Sequence, residues 1–124
     1  MLNTLKSGSQ SKVSDYEQRR PTSTLDVAVV CRQIIEHRQS KSDFSGVWHW
    51  TGNEQMTKYG MIRVMSSAFG IAMDHIIPDR EATPGASRPY NSSLDRSDLE
   101  ILGIGRDTPF EQGIYECLKS FVEV

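Results

Sequence analysis

Apolar residues recur along the chain with two periods, and the change of period marks its elements. Val27, Val30, Cys31, Ile34 and Ile35 fall at i, i+3, i+4, i+7 and i+8, one face of a helix. Pro21-Thr22-Ser23-Thr24 offers hydroxyl caps before it, and His37 and Arg38 suit its last turn, so a helix is predicted from about Thr24 to Gln39. Val47-Trp48-His49-Trp50 is β-branched and aromatic between Gly46 and Gly52, and reads as a strand. Thr57 then serves as the N-cap of a second helix carrying Met61, Ile62, Val64, Met65, Ala68 and Phe69, which Gly70 ends. His75-Ile76-Ile77-Pro78 suggests a short strand that its proline confines to a sheet edge.

Residues 79–93 read as loop, followed by a short helix from Asp95 or Ser97 to Leu102, stopped by Gly103 and Gly105. Thr108-Pro109-Phe110-Glu111 has the form of a capping box with proline at the first helical position. Phe110, Ile114, Cys117, Leu118 and Phe121 supply the apolar face behind it. Residues 1–20 offer only Met1, Leu2, Leu5, Val13 and Tyr16 to a core and are expected to form a flexible arm, with the folded unit spanning 21–124. The fold class is therefore a partial α/β domain of α+β character. Two strands do not make a self-sufficient sheet, so the unit is expected to lean on something else.

Composition narrows function mainly by exclusion. A formal charge of −2 over 124 residues gives no basic field for nucleic acid, and no apolar run is long enough to span a bilayer. Two distant cysteines, Cys31 and Cys117, on what read as apolar helix faces, point to small core residues in a reducing, cytoplasmic setting rather than to a disulfide framework. His37, His49 and His75 share no metal-ligand spacing. Tyr115 and Lys119 form a Tyr-x-x-x-Lys pair, the spacing that lowers a phenol's pKa in short-chain dehydrogenases. No glycine-rich phosphate loop precedes it, and Gly103-Ile104-Gly105 follows a helix where a dinucleotide fingerprint requires a strand. The pair is therefore read as two neighbours on a helix face.

His49 alternates with Trp48 and Trp50 and is expected to be partly buried and hydrogen-bonded. Arg88, beside the rigid Pro89 and near Asn91, can hold a phosphate or carboxylate bidentately or tie its loop to a carboxylate of the fold, and the structural tie is favoured. Arg88, Asn91, His49 and Arg19 are the candidate ligand or partner contacts. No residue is assigned a catalytic, metal-binding or cofactor-binding role.

The runs Pro21–Ala28, Gly46–Glu54 and Arg88–Asp95 occur in an order that resembles the C-terminal, substrate-binding half of dTDP-4-dehydrorhamnose reductase-like extended short-chain dehydrogenases. Within that group Val30-Cys31-Arg32-Gln33, His49–Tyr59, Leu102–Gly105 and Thr108-Pro109-Phe110 are most similar to the regulatory β subunits of methionine adenosyltransferase. The resemblance implies an RmlD-like C-terminal lobe whose Rossmann half, and with it NADP(H) binding, lies outside this chain. No cofactor is then expected for the chain alone. It implies a non-catalytic regulator whose partner is the catalytic subunit of methionine adenosyltransferase, in a hetero-oligomer that modulates S-adenosylmethionine synthesis. A sugar-nucleotide reductase lobe, with Arg88 and Asn91 facing a dTDP-sugar, is the alternative. Gly60 stands where that family carries an acidic residue. Its capping box is thus incomplete, at a cost of about 1 kcal/mol.

Overall fold

A computed structural model describes residues 1–122. Its elements run α1 (Leu2–Lys6), β1 (Ser11–Ser14), α2 (Thr24–Ser40), α3 (Lys58–Phe69), β2 (Ile76–Asp79), α4 (Ser97–Ile101) and α5 (Phe110–Val122). The small sheet is a parallel pair, β1 beside β2, with Ser11 opposite Ile76 and Val13 opposite Pro78. The predicted helices over α2, α3, α4 and α5 are present, as is the strand at Ile76. Thr57 caps α3 through its hydroxyl oxygen, which accepts from the Gly60 N–H at 3.0 Å, and Gly70 closes that helix in the left-handed region at φ 63°.

Two hydrophobic clusters form. Leu5, Ile62, Met65 and Ile76 make the first, where α3 meets α1, the β-pair and the inner side of α5 through Ile114 and Leu118. Val30, Leu99 and Ile104 make the second, with Trp48, Trp50 and Ile34 packed around them. In this second cluster Gly105 lies so close to Trp50 that a Cβ on it would sit 2.5 Å from the indole. Its backbone N–H and C=O are both engaged by the Gln33 carboxamide. Arg96 covers Trp50, with its guanidinium 4.0 Å from the ring centroid.

Four expectations are corrected. Residues 1–20 are not a loose arm: α1 buries Leu5 to 1% exposure and β1 pairs with β2. A single well-placed leucine and a long-range parallel pairing achieve this, and neither leaves a periodic trace in the sequence. Val47–Trp50 is not in a ladder, because among the described residues no strand pairs with it, although its side chains alternate as a strand's do. Cys31 and Cys117 are exposed rather than in the core. Thr108 does not cap α5. Its hydroxyl and backbone N–H both donate to the Asp26 carboxylate at 2.7 Å, and the helix begins two residues later at Phe110, whose N–H donates to Glu54.

Candidate functional site

The polar loops converge on the strap that joins β1 to α2. Arg19 pairs with Met56 through both backbone groups, and the N–H of Gln18 donates to the Tyr90 carbonyl at 2.7 Å. The strap is thus held between the 49–57 run and the 88–93 loop. Arg20 reinforces this by donating to Ser93 Oγ at 3.0 Å and to the Asn53 carbonyl at 3.1 Å. Gly52 lets the two segments touch, since a Cβ there would meet the Pro21 carbonyl oxygen at 2.2 Å.

Arg19 and Arg88 line one cleft of about 260 Å³ together with Glu17, Gln18, Pro89 and Ser92. Glu17 is buried, with Oε1 accepting from the Thr83 N–H and Oε2 from the Ser14 hydroxyl. Ser14 first, then Thr83, holds its carboxyl down to about 2. Its oxygens are therefore already engaged. Arg88 is exposed and makes no ion pair among the described residues, so the structural tie favoured from sequence is not made. The Arg19 Nε is buried without a hydrogen-bond partner, as is Trp50 Nε1. Both residues border a second cleft of about 560 Å³ that also includes Arg20, Met61, Ser92 and Leu94.

Asn91 stands beside Gln18 in an isolated bridge, but its side-chain oxygen is taken by the Ser93 N–H and hydroxyl. His49 lies elsewhere and is exposed, contrary to the partly buried position expected for it. Its charged neighbour is Asp95, whose carboxyl is held below the ordinary carboxylate range mainly by the Ser97 hydrogen bonds, with His49 adding to the effect. The structure thus brings Arg19, Arg88 and the Asn91 backbone together and leaves His49 out. Sequence reasoning missed Arg20, whose role as a clamp depends on segments more than thirty residues away.

The other polar cluster is structural. Arg96 makes a two-pronged contact with Asp107, pairs with Glu100 and donates to the Thr51 carbonyl at 2.7 Å. Asp107 chiefly raises the guanidinium's pKa, and Arg96 in turn holds the Asp107 carboxyl down. Tyr115 stacks on Phe69 at 5.5 Å, and Lys119 reaches Glu116 at 2.6 Å, which matches the reading of that pair as helix neighbours. No cluster of three metal-ligating side chains occurs among the described residues. In the Gly103–Gly105 turn the Trp50 ring and the Gln33 carboxamide crowd Gly105, whereas the space beside Gly103 is open.

The family model of the RmlD substrate binding domain matches residues 1–123. The chain belongs to that family. Its relatives include methionine adenosyltransferase 2 subunit beta of Bos taurus, 44% identical over 117 residues that make up 94% of this chain and 35% of the relative. The Danio rerio subunit is 40% identical over 118 residues, 92% of this chain and 36% of the relative. This RmlD domain therefore spans about a third of the length of those relatives. Among solved structures, a dTDP-4-dehydrorhamnose reductase from Clostridium acetobutylicum superposes with a TM-score of 0.78 at 23% identity, covering 97% of this chain and 41% of that one. A second, from Bacillus anthracis in complex with NADP, gives 0.74 at 18% identity, covering 99% and 41%. These two show the shared fold. No helix among the described residues is long and apolar enough to cross a membrane.

Proposed function

We propose that this RmlD domain is part of a non-catalytic regulatory subunit that binds the catalytic subunit of methionine adenosyltransferase and modulates S-adenosylmethionine synthesis in the cytoplasm. The supporting observation is the 44% identity to the bovine beta subunit over nearly the whole chain, against 23% to a reductase of the same fold. The site is compatible with this role. Its polar groups clamp loops to one another, and Tyr115 stacks on Phe69 while Lys119 pairs with Glu116.

The test is to isolate the polypeptide carrying these residues from its own cells and identify what accompanies it by mass spectrometry. The catalytic subunit of methionine adenosyltransferase is expected, and S-adenosylmethionine output should change when the two are mixed. Failure of both overturns the proposal.

A second reading rests on the buried, unpartnered Arg19 Nε and the unpaired Arg88 beside it, which suit the phosphates of a dTDP-sugar. Reduction of dTDP-4-dehydrorhamnose by the same polypeptide, lost on Arg88→Ala, would put that reading in place of the regulatory one.

A further inference from the structure

Two of the chain's five prolines follow a threonine, and the fold treats the two threonines in opposite ways. Thr108 is locked, because its hydroxyl and N–H both donate to Asp26, which is 3% exposed. Thr83 lies in an irregular loop whose residues 80–90 are exposed throughout. Such a loop is where a modifying enzyme can draw the chain into its own active site. Pro84 lacks an N–H and biases Thr83 toward an extended backbone, the features that proline-directed protein kinases read.

Thr83 shares a cleft of about 500 Å³ with Lys12, Lys58 and Asp79. Lys12 stands on β1 and Lys58 opens α3, and both are exposed. Neither makes an ion pair among the described residues. The carboxylates nearby, by contrast, are already engaged. Asp79 accepts from the Glu81 N–H at 3.2 Å, and Asp15 accepts from the Thr57 hydroxyl at 2.7 Å with Arg80 3.9 Å away. Glu17 accepts from Ser14 and from the Thr83 N–H. The first turn of α3 carries no acidic residue, so its own side chains leave the helix's positive end uncompensated. Unused positive charge therefore lies beside an accessible hydroxyl.

We propose that Thr83 is a phosphorylation site and that Lys12 and Lys58 receive the phosphate. The donor is ATP, brought by a proline-directed serine/threonine kinase. The Thr83 hydroxyl oxygen attacks the γ-phosphorus, and a new O–P bond replaces the bridging P–O bond between the β- and γ-phosphates. ADP leaves, and the hydroxyl proton passes to the kinase's general base. The product carries a charge of about −1.5 to −2 at neutral pH. Glu17 repels that charge and the two lysines attract it, so the 80–90 loop exchanges its tie to Glu17 for one to β1 and α3. Glu17 precedes Gln18 and Arg19 in the strap, so the exchange reaches the cleft between Arg19 and Arg88. The proposal rests on neither functional reading above, and its failure leaves both untouched.

Two measurements test it. The intact chain is first incubated with ATP and a proline-directed kinase, and its phosphates are mapped by tandem mass spectrometry. One phosphate is expected, on Thr83, with none on Thr108, and T83A should take none. Phosphate on Thr108 in its place overturns the site. So does the absence of phosphate on Thr83 both there and in the polypeptide isolated from its own cells.

The receiving lysines are then tested with phosphothreonine installed at position 83 during translation. Its phosphorus resonance should titrate below the pKa of about 6 of a free phosphothreonine, and in K12A/K58A it should return to that value. Both lysines are exposed, so the double variant should keep the parent's melting temperature, which separates lost capture from lost fold. The Gln18 and Arg19 amides should exchange about tenfold faster in the phosphorylated chain, the scale of losing one hydrogen bond to a charged group. A titration that ignores both lysines, or unchanged exchange of those amides, overturns the transfer of the loop.

Discussion

Glu17 is a buried carboxylate whose two oxygens accept from Ser14 and Thr83, and this fixes the sign of its contribution to stability. Its carboxyl falls from 4.5 to about 2 in the folded protein. The folded state thus holds the ionised form more firmly than the unfolded chain does, so the stabilisation is fully present above pH 4.5 and is lost as pH falls through about 2. Glu17→Gln is expected to lower the urea midpoint at neutral pH and to flatten the decline in that midpoint on acidification. Parallel midpoint curves for the two proteins would contradict this. Some single-residue roles were legible in advance. Thr57 followed by a helical apolar pattern announces a cap, and the cap is there. Others were not. Gly105 looks like half of a phosphate motif, but its missing side chain makes room for Trp50, fifty-five positions away, and no local rule carries that information.

Among the elements, α5 shows how a helix can be read correctly and its anchoring missed. Its apolar face is plain in Ile114 and Leu118, which meet the first cluster. Its N-terminus is held from outside, by Glu54 accepting from the Phe110 N–H, a favourable place for a carboxylate beside the helix's positive end. Glu54→Ala is expected to cost about 1 kcal/mol, the usual scale for losing an N-terminal cap, and to speed amide exchange through the first turn of α5. Exchange there at the original rate would show that the contact contributes nothing. The same limit explains the strand expected at Val47–Trp50. Side-chain alternation is local and was legible, whereas a ladder needs a neighbouring strand, and among the described residues none pairs with this segment. The β1–β2 pair is the converse case, since both strands are short and their pairing spans more than sixty positions.

Over the whole molecule, a buried polar tie links the two hydrophobic clusters. Asp26 belongs to α2 of the second cluster, is 3% exposed, and grips Thr108 on the approach to α5 of the first, with Arg106 at 3.4 Å as its counter-charge. Asp26→Ala leaves the Thr108 N–H without its acceptor and should destabilise the fold by about 1–3 kcal/mol. Because the tie spans the clusters, the variant should also separate their unfolding, giving different midpoints for tryptophan fluorescence, which reports the second cluster, and for far-UV dichroism. A single shared midpoint would show that the clusters are coupled elsewhere. The family and fold class were legible in the order of the motifs. The placing of Arg19 against Arg88 was not, because it depends on three loops meeting.

The run from His49 to Thr57 sends Thr51 to Arg96, Glu54 to α5, and both Met56 and Thr57 to the strap, at Arg19 and Asp15, so its polar groups are spent on tying it to three other parts of the chain. A saturation screen scored only by cell survival would find this run as intolerant as a catalytic loop. Purification yield, read beside any measure of activity, would show that the lost variants were lost in folding.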